Sequence, residues 1–148
     1  MIRRLGELPR KSTRYVRRPG AYAILIRNGA CLLTHQMAPF PEFQLPGGGI
    51  DPGESQITAL HREVFEETGW SMAEPRHVGT FRRFADMPEY NMLAEKICHI
   101  FVARPVMRRG LPSEPGHSAV WMPAPEALEV LANPGDQWMM RRVLQQTG

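Results

Sequence analysis

Carboxylates are concentrated in residues 47–70, whose sequence is GGGIDPGESQITALHREVFEETGW. Glu63, Glu66 and Glu67 are spaced i, i+3 and i+4, which places them on one face of a helix beside an apolar stripe. Like charges at this spacing repel one another, and Glu66 and Glu67 also lie near the helix C-terminus, where the helix dipole disfavours anions. The pattern therefore predicts a positively charged partner for this face.

Few basic side chains are available for that role. Arg62 can offset one charge, but the only lysines are Lys11 and Lys96, both distant in sequence. A hard divalent cation such as Mg²⁺ or Mn²⁺ selects carboxylate oxygens and would be a suitable partner. The alternative interpretation, a solvated acidic face, is less favoured because the acids adjoin the apolar stripe. The residues therefore predict a metal-binding helix.

Glycines precede this helix. Gly47, Gly48 and Gly49 follow Pro46, and residues without side chains let the backbone bend sharply and approach a ligand closely. Backbone groups in such a turn can hold a phosphate or a metal ion. Together with the acidic helix, the turn predicts a site in which a cation bridges substrate phosphates and an activated water.

The same segment resembles the Nudix box. The matching residues are Gly48, Glu54, Arg62, Glu63, Val64, Glu66, Glu67 and Gly69, followed by Trp70, an aromatic where aliphatic residues are usual. The resemblance implies a Nudix fold and the hydrolysis of a nucleoside diphosphate linked to another moiety, with Mg²⁺ or Mn²⁺ as cofactor.

The resemblance also implies roles for particular residues. Glu63, Glu66 and Glu67 look like the metal ligands, together with a backbone carbonyl of Gly47 or Gly48. The residues that orient these carboxylates look like Arg62 and Glu54. Members of the family take their general base either from the box, here Glu63 or Glu66, or from a later loop, where Glu114 lies and His117 could assist it.

The substrate is less well specified by the sequence. Pro88 resembles a marker of relatives that cleave ADP-ribose, and Tyr90 resembles a marker of relatives that cleave dinucleoside polyphosphates. The two residues therefore indicate different substrates. Arg82, Arg83 and Lys96 are candidates for contacts with phosphates, and Tyr90 is a candidate for stacking on a base. Phe81 and Phe84 are alternative stacking residues, of which at least one must face the core because side chains alternate along a strand.

The remaining pattern predicts an α/β protein with a mixed β-sheet between α-helices. Asn28-Gly29 predicts a tight hairpin between strands within residues 21–36, and Ser55 and Gly69 bracket the acidic helix as its caps. Further predicted elements are strands at His77–Phe84 and Lys96–Arg104, a short strand at 118–122, and helices from Pro125 and from Asp136. Residues 20–148 would form the Nudix domain, preceded by a basic N-terminal arm at 1–19.

Composition excludes several classes of protein. A length of 148 residues with 43% hydrophobic and 22% charged residues is typical of one globular domain. The apolar runs are shorter than the roughly 20 residues that span a bilayer, and the N-terminus lacks the apolar core of a secretion signal. Cys31 and Cys98 lie in apolar runs and are predicted to be buried thiols, which fits a cytoplasmic protein.

Three functions follow as hypotheses. The first is a small-nucleotide pyrophosphohydrolase, and the resemblance is also compatible with a homodimer. The second is a pyrophosphohydrolase of RNA 5′ ends, because the arm carries seven basic residues and only one acid, Glu7, before Pro19. The third is a nucleotide-sensing module without catalysis, which is the least favoured because such modules would be expected to lose the glutamates of the box.

Overall fold

The computed structural model describes residues 2–38 and 40–147, which form eight strands, three α-helices and one 3-10 turn. The strands are β1 (Arg3–Arg4), β2 (Val16–Arg27), β3 (Ala30–Gln36), β4 (Glu42–Gln44), β5 (Gly47–Gly49), β6 (Trp70–Met87), β7 (Met92–Arg108) and β8 (His117–Pro123). The helices are α1 (Gln56–Thr68), α2 (Ala124–Val130) and α3 (Pro134–Thr147), and the 3-10 turn is Pro88–Tyr90. The order of strands and helices is that of a mixed α/β protein.

The sheet is organised around β2. One edge of β2 pairs in parallel with β7 from Val16 to Leu25, and its other edge pairs antiparallel with the three glycines of β5. β6 pairs antiparallel with β7, and β1 joins β6 in parallel. At its end β2 turns through Asn28 and Gly29, both with positive φ, into β3, which pairs with β4 and β8. The hairpin predicted from Asn-Gly is confirmed.

Two hydrophobic clusters cover the two faces of the sheet. One cluster packs residues of the sheet against α2 and α3, and includes Phe81, Ile100 and Met140. The other packs α1 through Leu60 and Val64 against the opposite face. The predicted sandwich of a mixed sheet between helices is therefore confirmed. In the described part of the chain no helix is long and apolar enough to cross a membrane.

The helix that carries the acidic residues is capped as predicted. The Ser55 hydroxyl accepts a hydrogen bond of 3.1 Å from Thr58 N–H at the N-terminus. Gly69 adopts a left-handed conformation with φ of 77° and donates its N–H to Phe65 O at the C-terminus. A Cβ at this position would overlap the backbone carbonyl of Gly110, so the end of α1 requires glycine for its space as well as its φ.

The sequence patterns underestimated the strands. β6 and β7 extend well beyond the predicted ranges 77–84 and 96–104, because two long neighbouring strands satisfy each other's backbone groups even where hydrophobic alternation is imperfect. The basic segment expected to be an arm is also paired in part. Arg3 and Arg4 form β1, and the backbone of residues 16–19 already belongs to β2, so the sheet extends across the boundary expected at residue 19.

Candidate functional site

A cleft of about 590 Å³ opens between α1, the glycine strand β5 and the β6–β7 turn. Side chains from distant parts of the sequence line it: Arg18, Glu63, Glu67, Tyr90, Lys96, Glu114 and His117. The cleft thus combines carboxylates at one wall with cationic and aromatic groups elsewhere, which is the composition expected of a site for a polar, charged ligand.

Arg62 organises the acidic wall. Its Nε and Nη2 donate to the two carboxylate oxygens of Glu54, each at 2.8 Å. Its Nη1 donates to Glu63 at 2.9 Å and to Glu66 at 3.4 Å, and Nη2 also donates to Gly49 O at 3.0 Å. One guanidinium therefore fixes α1 against the loop and the glycine strand that precede it, and the orienting role expected of Arg62 and Glu54 stays a prediction.

These contacts shift the pKa values of Glu54 and Glu63 in opposite directions. The hydrogen bonds from Arg62, with a further one from Asp51 N–H, lower the pKa of Glu54 to about 2. Glu63 behaves in the opposite way, because burial raises its pKa and Arg62 only partly offsets that effect. Glu54 is thus an ionised anchor, whereas the charge of Glu63 is compensated only in part by Arg62.

Glu67 is the most buried of the glutamates on α1, with 7% of its surface exposed. Its Oε1 accepts a hydrogen bond of 2.9 Å from Gly47 N–H. Burial raises its pKa to about 8, the nearby negative charges of Glu63 and Glu114 add to this effect, and the hydrogen bond from Gly47 offsets only part of it. A buried carboxylate in this condition is stabilised by a bound cation.

His117 lies against the other oxygen of Glu67. Its Nδ1 is 3.2 Å from Glu67 Oε2, but the approach lacks hydrogen-bond geometry, so this buried nitrogen has no hydrogen-bond partner in the described part of the chain. Burial lowers the pKa of His117, which favours the neutral imidazole. The histidine therefore contributes no charge to neutralise Glu67 at neutral pH.

The glycine strand is shaped by these contacts. Gly47 has a φ of 147°, and a Cβ there would overlap the backbone of Ala21 and Tyr22. A Cβ on Gly48 would overlap the carboxylate of Glu63. Both glycines are required for close packing of β5 between β2 and α1, and this packing brings their backbone next to the carboxylates of Glu63 and Glu67.

The loop before β8 brings Glu114 to the cleft. The backbone N–H groups of Ser113 and Glu114 donate to Glu66 O at 2.8 Å and 3.0 Å, so the loop is attached to the last turn of α1. The Glu114 side chain lines the cleft and, within the described chain, makes no hydrogen bond or ion pair of its own. Its carboxylate is therefore free to contact a ligand or a water.

The other predicted residues are distributed unevenly. Lys96 and Tyr90 line the cleft, and Arg83 lies beneath it in a small chamber that Lys96 shares. Glu66 does not line the cleft and contacts Arg62. Arg82 is also outside the cleft, because alternation along β6 turns it to the other face, where it pairs with Glu95 at 3.4 Å. The expectation that Arg82 binds substrate lacks structural support.

Sequence reasoning missed several residues of the cleft, among them Arg18, Tyr22 and Gln44. Arg18 was assigned to the basic arm, yet it lies directly opposite Lys96 in the parallel pair of β2 and β7. That pairing joins residues 78 positions apart, and no local pattern in the sequence specifies it. Pro19 and Gly20, which follow Arg18, suggested a domain boundary, so a strand was not predicted there.

The donor groups suit a hard cation in their chemistry. In the described chain no three acidic, histidine or cysteine side chains are grouped closely enough to hold an ion, since Arg62 engages Glu63 and Glu66 while Gly47 engages Glu67. The oxygens of Glu63 and Glu67 nevertheless face one cleft, and their pKa values are raised by burial and by their neighbours. Mg²⁺ or Mn²⁺ would relieve that electrostatic cost.

Comparison with known proteins gives a family match. The model of the NUDIX domain family matches residues 16–146. A putative 8-oxo-dGTP diphosphatase of Bacillus subtilis is 38% identical over 64 residues, covering 43% of each protein. A CMP-5′-(N-acetyl-N-hydroxy-3-aminopropyl)phosphonate hydrolase of Streptomyces rubellomurinus is 30% identical over 84% of this chain and 63% of its own length. The chain thus spans less than two thirds of the length of these curated relatives.

Solved structures agree with this match. A MutT protein from Bacillus halodurans superimposes with a TM-score of 0.71 and 27% identity, covering 86% of this chain and 82% of the other. A NUDIX hydrolase from Nitrosomonas europaea gives a TM-score of 0.72 at 20% identity, with coverage of 87% and 89%, and supports the fold alone. The architecture around the cleft is therefore one that other proteins share.

Proposed function

Since the chain belongs to the NUDIX domain family, we propose that it is a divalent-metal-dependent hydrolase of a pyrophosphate bond in a small nucleotide. The observation that carries the proposal is Glu67, a carboxylate buried beside the glycine strand and facing a cleft that Glu63 and Glu114 also line. A cation with its phosphate ligand would compensate the negative charge of this cluster and stabilise its carboxylates.

The proposed cation site uses the carboxylates of Glu63 and Glu67, Glu66 once it is released from Arg62, and a backbone carbonyl of Gly47 or Gly48. When bound, Mg²⁺ or Mn²⁺ would neutralise phosphate charge and lower the pKa of a water ligand. The residues of the chain hold these carboxylates in position. Arg62 positions Glu63, and the N–H of Gly47 orients Glu67.

Glu114 is our proposed general base. It reaches the cleft from a loop fixed to α1, and its carboxylate is free, whereas Glu63 is already engaged by Arg62. Glu114 would take a proton from the attacking water, the new bond would form at phosphorus, and the bridging oxygen would leave with the second phosphate. His117 lies against Glu67, and its backbone N–H donates to Glu114 O at 3.3 Å, so it joins this loop to the acidic wall.

The substrate is proposed to be a nucleotide with at least two linked phosphates. The relatives named above are described as acting on 8-oxo-dGTP and on a CMP derivative. An RNA pyrophosphohydrolase of Escherichia coli is 45% identical over 42 residues, which is 28% of this chain and 24% of that protein. RNA 5′ ends are therefore the second candidate, and multiple turnovers on any of these substrates would exclude a purely sensing module.

The test is a turnover assay with nucleoside triphosphates, their oxidised forms, nucleoside diphosphate sugars and 5′-triphosphorylated RNA, each with Mg²⁺, Mn²⁺ or EDTA. We expect turnover of at least one substrate that EDTA abolishes. Glu114→Gln should lower kcat by about 100-fold or more, whereas Glu126→Gln, an exposed control on α2, should leave it unchanged. Equal rates for the Glu114→Gln variant and the native chain would refute the assignment of the base.

A further inference from the structure

A row of basic side chains crosses three neighbouring strands at the floor of the cleft. Arg18 on β2 is the register partner of Lys96 on β7, and Lys96 is in turn the partner of Arg83 on β6. Register partners in adjacent strands point to the same face of a sheet, with their Cβ atoms only about 5 Å apart. Like charges in this arrangement destabilise the sheet unless an anion compensates them.

The row lacks its own counterion. In the described part of the chain, Arg18, Lys96 and Arg83 make no hydrogen bond or ion pair, although all three are half-buried. Two acids lie near the row. The buried carboxylate of Asp136 shares the chamber with Lys96 and Arg83 but accepts a hydrogen bond from Leu45 N–H, and Glu89 lines the cleft and acts on Lys96 electrostatically without pairing with it. Two carboxylates against three cations leave a positive excess at this place.

The opposite face of the same strands shows what a compensated arrangement looks like. Arg17 and Arg82 point away from the cleft, and both are bound by Glu95, at 3.1 Å and 3.4 Å. Arg17 is one residue from Arg18 and 75% of its side chain is exposed. The chain therefore supplies an acid to the arginines that do not face the cleft and none to Arg18, which does.

Arg18 is also held in position and lies near the acidic wall. Its guanidinium lies 5.7 Å from the centre of the Tyr90 ring, a cation–π contact that restricts it without neutralising its charge. Its Nη2 is 3.9 Å from where a Cβ of Gly49 would be, while Glu63 packs on the adjacent Gly48. The cations and the carboxylates therefore flank consecutive residues of one strand and can engage the same ligand.

We infer that Arg18 and Lys96 form a phosphate subsite separate from the carboxylates, and that Arg83 supports it from below. This inference rests on the proposed function for its catalytic meaning. Substrates that carry a phosphate beyond the pair at the carboxylates, as triphosphates and polyphosphates do, gain a charged contact there. A nucleoside diphosphate sugar presents a neutral group instead and gains none.

The first experiment measures binding without turnover. Inorganic tripolyphosphate is titrated into the full chain in EDTA by calorimetry, with Arg18→Ala compared with Arg17→Ala, which removes the same charge one residue away. We expect Arg18→Ala to weaken binding about 10-fold to 100-fold and Arg17→Ala to change it less than about 2-fold. Arg18→Lys should recover part of the loss. Equal weakening by both alanine variants, or by neither, would overturn the subsite.

The second experiment measures selectivity with Mg²⁺. The ratio of kcat/KM for a nucleoside triphosphate to that for a nucleoside diphosphate sugar should fall about 10-fold or more in Arg18→Ala, mainly through KM, and should be unaffected in Arg17→Ala. If the ratio of kcat/KM values is unchanged in Arg18→Ala, the preference for substrates with a further phosphate is contradicted. A larger loss on 5′-triphosphorylated RNA than on the free triphosphate supports the subsite and identifies the RNA end as the phosphate source.

The two experiments also separate this inference from the proposed function. Binding of tripolyphosphate that depends on Arg18, together with no hydrolysis of any substrate, would support the subsite and refute the hydrolase. Metal-dependent hydrolysis, together with tripolyphosphate binding that does not depend on Arg18, would support the hydrolase and refute the subsite. Thermal melts of each variant confirm that the compared proteins are folded.

Discussion

At the scale of single residues, neighbouring positions of α1 have opposite electrostatic roles. Arg62 is shared among Glu54, Glu63 and Glu66, whereas Glu67, at the end of the same helix, receives one backbone hydrogen bond and no positive charge. The identity of these residues was readable from the sequence because one helical face holds them. Their division into anchored and uncompensated carboxylates depends on burial, which the sequence does not specify.

Replacement of Glu67 tests that division. Glu67→Gln keeps the shape and can still accept the Gly47 N–H bond, so we expect the variant to fold and, in EDTA, to be at least as stable as the native chain. Turnover at saturating Mg²⁺ should fall by about 100-fold or more because the amide cannot supply a negative charge. The measurements are kcat and a thermal melt. Glu74→Gln, whose side chain is 77% exposed, is the control, and an equal effect of both changes would contradict the account.

The buried Asp136 should make stability depend on pH. Burial raises its pKa from 3.8 to about 6, so the folded state holds its proton more tightly than the unfolded state does. Its contribution to the free energy of unfolding is therefore fully present below about pH 4 and is lost as pH rises through about 6. Asp136→Asn should remove this loss, which amounts to about 3 kcal/mol at most.

The measurement for Asp136 is urea unfolding of the native chain and of Asp136→Asn at several values between pH 4 and pH 7. The difference in unfolding free energy between the two proteins should change across that interval, in favour of the variant as pH rises. A difference that is constant with pH would show that the carboxylate does not titrate as its burial requires.

At the scale of elements, local signals predicted well and long-range pairing was not predictable. The Asn-Gly turn, the Ser55 cap and the Gly69 stop each depend on the conformation of a few consecutive residues, so the sequence specifies them. The parallel pairing of β2 with β7 joins residues far apart in the chain. It decides that Arg18 lies in the cleft, and no periodicity in either strand encodes it.

The N-cap of α1 provides an element-scale prediction. Ser55→Ala removes the hydroxyl that accepts from Thr58 N–H, and should lower the free energy of unfolding by about 1 kcal/mol. The glutamates proposed to bind the metal lie in later turns of the helix, so kcat should change little. Urea unfolding and kcat are the measurements, with the exposed Ser118→Ala on β8 as control. A loss of activity without a loss of stability would mean that Ser55 has a different role.

At the scale of the whole molecule, the N-terminal segment is part of the fold. Arg3 and Arg4 pair with β6, Leu5 N–H donates to Arg82 O at 2.9 Å, and the Arg3 guanidinium lies 5.1 Å from the centre of the Trp138 ring. Deleting everything before Pro19, the obvious test of a role in RNA binding, would therefore remove strands β1 and part of β2. If such a deletion weakened RNA binding, the effect of lost structure could not be distinguished from the effect of lost charge.

A shorter deletion separates the two effects. Removal of residues 1–6 exposes part of the core that Leu5 covers, and should lower the free energy of unfolding by about 1 to 3 kcal/mol. Replacement of Arg10, Lys11 and Arg14 by glutamine should leave stability unchanged within about 0.5 kcal/mol. Urea unfolding tests both expectations, and a deletion variant as stable as the full chain would show that β1 does not stabilise the fold.

The proposed activity is hydrolysis of a phosphate anhydride by water, assisted by a divalent metal in the acidic cleft. The most direct test is turnover in H₂¹⁸O with mass spectrometry of the products, with Mg²⁺ or Mn²⁺ and with EDTA. We expect one ¹⁸O atom per turnover in a phosphate of one product, and no reaction in EDTA. Turnover that persists in EDTA, label outside a phosphate group, or no turnover of any pyrophosphate substrate by folded protein would contradict it.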